Sequence, residues 1–350
     1  MAGQSSQLTN TIAIGQEAGQ GTQGQNAIAI GYQAGDISQG SGGVAIGYQA
    51  GLQPFSATQL NINAVSIGTQ AGQTGQGTSA IAIGCQAGRG TQGENAIAIG
   101  YQAGNISQGY SSIAVGDLAG TNNQKSNAIA IGAESGYTNQ QSGSIAIGYQ
   151  AGNLNQGTNC IAIGSGAGFN NQISGSIAIG YYAGQYSQGQ DSIAIGQYAG
   201  QTNQPNNSIV INASGSALNG TTQSCFYVRP IRGTADTTPV LTYDTTNYEI
   251  RYSTSSIKYK KNVVDLTQNT SDILMIKARE YDTKDDDKHH IGYIAEELND
   301  INNWFTWKNP DGSPEGIEWF NLLVYAIEEM KKLQQEIITL TETINILENM

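Results

Sequence analysis

Side chains that could act as acids, bases or metal ligands are unevenly distributed along this chain of 350 residues. Residues 1–218 contain two basic side chains, Arg89 and Lys125, and six acidic ones, whereas the other 34 charged residues lie in 219–350. Isolated carboxylates do not supply the acid–base pair that hydrolysis of an external polysaccharide requires. No external substrate is therefore expected for the first part of the chain.

Metal and cofactor chemistry is not expected either. Cys85, Cys160 and Cys225 are too few and too scattered for a disulfide framework or a thiolate metal site. The acidic run at 285–287 lacks the ligand spacing of a calcium loop and is interpreted as a solvated turn. The sequence thus predicts no metal site and no cofactor.

The tract Ile-Ala-Ile-Gly, or a close variant, returns every sixteen residues through the first two-thirds of the chain. Such a strict period predicts stacked coils of a solenoid over residues 1–218. Its glycines are Gly15, Gly31, Gly47 and, after a five-residue insertion, Gly68, Gly84, Gly100, Gly116, Gly132, Gly148, Gly164, Gly180 and Gly196.

One coil illustrates the predicted geometry. The strand 28–30 should place Ile28 and Ile30 on one side and Ala29 on the other. Residues 32–34 are predicted to form a second extended piece between two glycine turns. Burial of two isoleucines and a few alanines contributes too little free energy to offset the entropy lost when sixteen residues are ordered. Stacking of coils and lateral association of chains must therefore stabilise the fold. The Ala/Gly face would allow close approach of another chain.

These repeats resemble the YadA-like head repeat of trimeric adhesins, which has the pattern Ala-Ile/Val-Ala-Ile-Gly. The resemblance covers about residues 11–212. It implies a left-handed parallel β-roll in which three chains lie side by side. The period of sixteen is slightly longer than that of the adhesin repeat, so the turns are expected to be enlarged.

Residues 219–254 change in character and predict a small β connector, with short strands separated by turns. The segment that follows begins with Ser255, Ser256 and a lysine cluster. Together with the later motifs His290-Ile-Gly-Tyr-Ile-Ala-Glu-Glu-Leu298 and Gly316-Ile-Glu-Trp-Phe320, it resembles the endosialidase-type intramolecular chaperone, also classed as a serine peptidase. That resemblance covers about residues 255–350 and implies an α+β domain.

The chaperone resemblance implies self-cleavage at the Thr254–Ser255 bond. Ser255 would attack the carbonyl of Thr254 with Lys260 as general base, and His290 is a possible orienting group. An amine acts as a base only when neutral, so burial or neighbouring cations must lower its pKa. A turn or a neighbouring chain must also bring Ser255 and Lys260 together. The alternatives are a solvated lysine cluster beside a loop serine and a structural histidine.

A heptad pattern occupies the end of the chain, about residues 320–350, and predicts a coiled-coil helix. Isoleucine at one seam position and leucine at the other nominally favour dimers, whereas both family resemblances imply a homotrimer. A helix folded back on its own domain is the alternative. The predicted seam consists of Leu323, Met330, Leu333, Ile337, Leu340, Ile344 and Leu347.

The partners expected from composition are few. A net charge of −12 argues against nucleic acid, and no apolar stretch approaches the length of a membrane span. The polar start, Met1–Asn10, lacks the features of a secretory signal, so synthesis in a host cytoplasm is expected. Tyrosines that follow the repeat glycine could bind glycans or simply fill turn corners.

Taken together, the sequence predicts a mainly β homotrimeric fibre: a β-roll, a connector and a chaperone domain ending in a coiled coil. A virion-surface fibre, from a phage tail or a large DNA virus, is the predicted setting, with attachment to a host glycan or protein receptor or surface display as its role. A cell-surface trimeric adhesin whose export and anchor segments lie outside this sequence is the alternative.

Overall fold

The computed structural model describes residues 1–52, 62–231, 241–244, 249–252, 258, 260–284, 288–309 and 311–349. The chain divides into two compact units, residues 1–235 and 236–350. The predicted cleavage bond Thr254–Ser255 and the acidic run 285–287 lie outside the described residues.

The first unit is a parallel β-solenoid, which confirms the predicted fold class. Each coil places one three-residue strand in a main sheet, and many coils add a short strand in a second ladder. The strands are β1 (Ile12–Ile14), β2 (Thr22–Gln23), β3 (Ile28–Ile30), β4 (Ser38–Gln39), β5 (Val44–Ile46), β6 (Val65–Ile67), β7 (Ile81–Ile83), β8 (Ile97–Ile99), β9 (Ile106–Gln108), β10 (Ile113–Val115), β11 (Asn122–Gln124), β12 (Ile129–Ile131), β13 (Ile145–Ile147), β14 (Leu154–Gln156), β15 (Ile161–Ile163), β16 (Asn170–Gln172), β17 (Ile177–Ile179), β18 (Tyr186–Gln188), β19 (Ile193–Ile195), β20 (Ile209–Asn212) and β21 (Phe226–Arg229).

The main sheet has 14 strands in the order β1-β3-β5-β6-β7-β8-β10-β12-β13-β15-β17-β19-β20-β21. Neighbouring strands pair in parallel with identical positions opposite each other, as in Ile113 with Ile129. The register is kept across the insertion, where Val44 pairs with Val65. At a spacing of about 4.8 Å between strands, this sheet extends for roughly 60 Å.

The interior of the solenoid holds small side chains. Ala29 and Ala34 are fully buried in one coil, and their counterparts form three alanine clusters along the unit. A coil of sixteen residues encloses too little space for larger apolar groups. In the alternating strand, the alanine therefore points inward.

The isoleucines consequently face outward. Ile28 and Ile30 are only partly buried, while Ile14 and Ile163 are exposed. The prediction that each coil buries its two isoleucines is wrong. The prediction that an Ala/Gly face meets another chain is also wrong, because the alanines of the strands lie inside the coil. The side of the main sheet that another chain could contact carries isoleucine instead.

The segment between the two repeat glycines is a turn, and the prediction of an extended piece there is wrong. The amide of Ala34 donates to the carbonyl of Gly31 at 3.4 Å, and Gln33 has φ of 52°. The second ladder lies instead after the second glycine, as in β4. Gln33 and Gly35, on either side of Ala34, both adopt the left-handed conformation, with φ of 52° and 55°, and so reverse the chain direction at this corner.

A buried glutamine completes most of the described coils, and the sequence analysis did not predict it. Nε2 of Gln140 donates to the carbonyls of Ile129 and Ser144 at 2.8 and 3.4 Å. It also donates to Oε1 of Gln156 at 3.1 Å. Buried carbonyls at the strand ends thus obtain partners from a side chain. The same position is buried in other coils, namely Gln23, Gln39, Gln76, Gln92, Gln108, Gln124, Gln156, Gln172, Gln188 and Gln204.

The solenoid ladder continues past residue 218, the predicted boundary of the repeats. Strand β21 pairs in parallel with β20, from Ile209 opposite Phe226 to Asn212 opposite Arg229. Leu218 and Tyr227 pack against the last alanine cluster and close this end of the interior. The first strand predicted for the connector is therefore part of the main sheet.

The second unit contains three antiparallel hairpins and two α-helices among its described residues. Their bounds are β22 (Leu241–Asp244) with β23 (Glu249–Tyr252), a 3-10 helix (Thr270–Met275), β24 (Arg279–Asp282) with β25 (His289–Gly292), α1 (Ala295–Ile301), a 3-10 helix (Asn303–Phe305), β26 (Thr306–Lys308) with β27 (Pro314–Ile317), and α2 (Trp319–Glu348). This arrangement is the predicted α+β domain with a terminal helix.

The core of this unit is small. Leu298, Phe305, Leu322 and Tyr325 are buried together, and the Phe305 and Tyr325 rings meet edge to face at 4.9 Å. Four buried side chains stabilise a unit of this length only modestly. Many apolar side chains of α2 lie outside this core and are exposed, so they are available to another partner.

Candidate assembly and processing site

The predicted catalytic residues are only partly within the described structure. Ser255 and Thr254 lie outside the described ranges. Lys260 is described and its side chain is exposed. The pairing of Ser255 with Lys260 stays a prediction.

His290 lies on strand β25, where its side chain is exposed. Its ring stacks on Tyr281 of β24, with 5.9 Å between ring centroids. The neighbouring His289 faces two carboxylates, with Nδ1 at 3.0 Å from Oδ1 of Asp282 and Nε2 at 3.6 Å from Oε2 of Glu280. The orienting role of His290 stays a prediction, and the hairpin partner that the structure gives it is Tyr281.

Helix α2 has two distinct apolar faces. Leu322 and Tyr325 pack into the core of the unit. The predicted seam lies on another face, and Leu340, for example, is 62% exposed. All described residues from Lys331 to Asn349 are exposed. The second half of the helix thus does not fold back on its own unit, and its apolar seam is available to another chain.

Polar contacts join the first half of α2 to the 3-10 helix Thr270–Met275, with Thr270 and Glu329 buried and Lys332 exposed. The hydroxyl of Thr270 donates to Oε2 of Glu329, and Nζ of Lys332 donates to the Thr270 hydroxyl at 2.6 Å. Lys332 also lies 3.7 Å from the Glu329 carboxylate. Burying a carboxylate is costly unless it is hydrogen-bonded, and this cluster supplies those bonds. The heptad pattern does not indicate this cluster, because Thr270 and Glu329 are 59 residues apart in the sequence.

A second ion pair joins strand β24 to helix α1. Arg279 Nε and Nη2 donate to the two carboxylate oxygens of Glu297 at 2.9 and 3.0 Å. Hydrogen bonding from Arg279 lowers the pKa of Glu297, and the same bond raises the pKa of Arg279. The two side chains are 46% and 44% exposed, so solvent screens this pair.

The outward isoleucines and valines of the solenoid form two continuous rows along the main sheet, which we call the outer rows. None of their members is buried. Contiguous exposed apolar surface of this length marks an interaction site. The outer rows are Ile12, Ile28, Val44, Val65, Ile81, Ile97, Ile113, Ile129, Ile145, Ile161, Ile177, Ile193 and Ile209, with Ile14, Ile30, Ile46, Ile67, Ile83, Ile99, Val115, Ile131, Ile147, Ile163, Ile179, Ile195 and Ile211.

Thiol and metal-ligating side chains in the described part of the chain form no second site. Cys160 is buried, burial raises the pKa of its thiol, and its Sγ contacts the carbonyl of Ile173 at 3.0 Å. Among the described residues, no three His, Cys, Asp or Glu side chains come together in a way that could hold a metal ion. Within the same ranges, no helix has both the length and the apolar character needed to cross a membrane.

Comparison with known families agrees with this geometry. Residues 255–306 match the family described as the chaperone of endosialidase. Two copies of the YadA head domain repeat match residues 23–35 and 92–103. No curated protein and no solved structure matches the chain significantly. Both resemblances inferred from the sequence are confirmed: the chain carries YadA-type head repeats in its solenoid and a chaperone-of-endosialidase segment after it.

Proposed function

We propose that this chain forms a homotrimeric fibre on the surface of a virion, where it serves attachment to a host receptor or surface display. The two family matches indicate a fibre-like or adhesin-like protein with a chaperone domain. The outer rows carry the proposal, because two continuous rows of partly or fully exposed isoleucine and valine favour cover by other chains. Synthesis in the host cytoplasm belongs to the same proposal.

The C-terminal unit has a clear task in such a fibre. Sixteen-residue coils are nearly identical, so chains that pair laterally can slip by whole coils. A coiled coil through the exposed seam of α2 aligns the C-termini of the chains before the solenoid coils associate. The chaperone segment thereby selects the correct register.

The seam can be tested by light scattering coupled to size exclusion. Leu340→Asp places a charge in the seam, and the mass is expected to fall from three chains to one. Ile346→Asp is the matched control, because Ile346 is equally exposed but lies outside the heptad seam. A wild-type mass of one chain would contradict the trimer.

Self-cleavage is the second part of the proposal. The Ser255 hydroxyl attacks the carbonyl carbon of Thr254 while a neutral Lys260 accepts its proton. The C–N bond between Thr254 and Ser255 then breaks as the Ser255 nitrogen takes up that proton, and water hydrolyses the resulting ester to release the chaperone segment. Loss of that segment would leave the assembled fibre kinetically trapped. Lys260 stands in a cluster with Lys258 and Lys261, within six residues of Ser255 in the sequence.

A denaturing gel of the mature protein tests the cleavage. Fragments of 254 and 96 residues are expected from the wild type. Ser255→Ala and Lys260→Met should leave the full-length band, whereas Ser256→Ala, which changes the adjacent serine, should still be cleaved. One full-length band from a mature wild-type trimer would reject self-cleavage and leave a plain trimerising domain.

A cell-surface trimeric adhesin is the second candidate, and the match to the YadA head repeat is the observation that favours it. Immunogold labelling separates the two settings. Gold on purified particles supports the virion fibre, whereas gold on the outer surface of uninfected producing cells supports the adhesin.

A further inference from the structure

Three tyrosine rings gather at one corner of the solenoid. The ring centroids of Tyr181 and Tyr182 are 4.1 Å apart, and Tyr198 lies 5.5 Å from the first and 6.0 Å from the second. Tyr181 is 43% exposed, and the other two rings are half-buried. The described repeats contain other corner tyrosines, such as the stacked pair Tyr32 and Tyr48, but this group has three mutually contacting rings.

The sequence departs from its own repeat to build this group. Tyr182 and Tyr198 occupy the left-handed turn position that holds glutamine or glutamate in most coils, and they keep φ of 53° and 55°. Aromatic side chains rarely adopt this conformation. One coil earlier the same position is Gly166, where a Cβ atom would overlap the Tyr182 ring. The glycine thus makes room for the ring to lie flat on the backbone.

The surroundings of the three rings are polar but uncharged. Between Glu134 and Arg229 the sequence contains a single charged side chain, Asp191. Hydrogen bonding to Tyr182 raises the pKa of Tyr181 to about 12, and this phenol, like an ordinary tyrosine, is neutral at physiological pH. Gln197, beside Tyr198, is exposed and offers an amide. The corner combines flat aromatic faces with neutral donors and acceptors.

We propose that Tyr181, Tyr182 and Tyr198 form a binding platform for a neutral carbohydrate. The C–H face of a pyranose ring is weakly positive and packs on the negative face of an aromatic ring. Phenol hydroxyls and the Gln197 amide then exchange hydrogen bonds with the sugar hydroxyls. A charged glycan has no counter-ion on this stretch. The proposal deepens the attachment function proposed above, and it rests on that function for its biological role.

Purified full-length protein and neutral hexasaccharides test the platform. Cellohexaose, maltohexaose and chitohexaose are titrated by calorimetry, with oligosialic acid as a charged comparison. We expect at least one neutral sugar to bind, and Tyr182→Gln, which restores the usual residue of this turn, to weaken it by about tenfold or more. Tyr181→Ala should have a similar effect. Tyr149→Ala, which removes an exposed tyrosine from an earlier coil, should change the affinity by less than about twofold.

Several results would overturn the platform. These are the absence of binding by every neutral sugar, binding of oligosialic acid alone, and equal losses in Tyr182→Gln and Tyr149→Ala. Thermal unfolding of each variant separates loss of binding from loss of fold. A host-cell assay distinguishes the two proposals: wild-type adhesion that survives periodate oxidation of cell glycans but not protease treatment rejects the platform and keeps attachment. Sugar binding without any adhesion rejects attachment and keeps the platform.

Discussion

The hydroxyl of Thr270 donates a 2.5 Å hydrogen bond to the carboxylate of Glu329 on helix α2. The same hydroxyl accepts a hydrogen bond from Lys332, one turn further along the helix. This contact orients α2 on the C-terminal unit while the heptad seam of the helix remains exposed. Thr270 of the short 3-10 helix therefore holds α2 against the rest of the C-terminal unit.

Replacing Thr270 by valine should destabilise the C-terminal unit. The change keeps the shape of the side chain but leaves the buried Glu329 carboxylate without its donor, at a cost of about 1–3 kcal/mol. Denaturation followed by tryptophan emission measures this, because Trp304, Trp307 and Trp319 are the only tryptophans of the chain. Thr339→Val is the control, since that exposed hydroxyl bonds only to the Gln335 carbonyl of its own helix. Equal effects of the two variants would contradict the importance of the contact.

The Arg279–Glu297 pair should add a small, acid-sensitive contribution to the stability of the C-terminal unit. Because hydrogen bonding to Arg279 lowers the pKa of Glu297 in the folded state, its contribution is present above the ordinary glutamate pKa. It is lost as the pH falls through the lowered value. An NMR titration should show the Glu297 midpoint moving upward in Arg279→Met, whereas Lys308→Met leaves it in place. A midpoint unchanged by Arg279→Met would contradict this assignment.

The buried glutamines should contribute more to stability than the glutamines that form hydrogen bonds at the turn corners, such as Gln150 with Glu134. Gln140→Leu removes donors from the carbonyls of Ile129 and Ser144 and breaks the amide chain in the middle of the solenoid. We expect a loss of about 2–4 kcal/mol in the free energy of unfolding, measured by circular dichroism. Gln150→Leu removes a hydrogen bond to Glu134 at the turn corner and should cost less than about 1 kcal/mol. Similar losses would show that the interior amides are dispensable.

The column of repeat glycines should not accept alanine. At Gly116, φ is 132° and a Cβ atom would lie 2.7 Å from the carbonyl of Gly132 in the next coil. Gly116→Ala should therefore lower the melting temperature and the soluble yield. Gly215→Ala is the matched control, because Gly215 also has positive φ, at 74°, but has open space around it. Gly215→Ala should lose only the free energy of backbone strain, about 1–3 kcal/mol.

Charge in the outer rows should weaken association of the solenoids. Ile163, 36% exposed, lies in the main sheet, whereas Ile173, 49% exposed, lies after the second ladder. Ile163→Lys should reduce the trimer mass or its resistance to dissociation in dilute denaturant, since a buried lysine without a partner is costly. Ile173→Lys should leave both unchanged. Loss of association in the second variant alone would place the interface on the other face.

Several features followed directly from the sequence. The sixteen-residue period required stacked coils, because a ladder keeps equivalent residues opposite each other at every turn, as Ile113 and Ile129 show. The two family segments were recognisable from short ordered motifs, and both are confirmed. The heptad spacing of Leu333 and Leu340 predicted a terminal helix, which the structure contains as α2. Local periodicity carries this information without any knowledge of distant contacts.

Tertiary structure alone decided which side of each strand faces inward. The alternation of Ile28, Ala29 and Ile30 is equally compatible with either orientation, and only the narrow width of the coil selects alanine for the interior. The buried role of Gln140 is also invisible locally, because its partners Ile129 and Gln156 belong to separate strands. Thr270 meets Glu329 across 59 residues. Sequence periodicity determines the repeat, but the space enclosed by the folded coil determines which residues fill it and which are left for other chains.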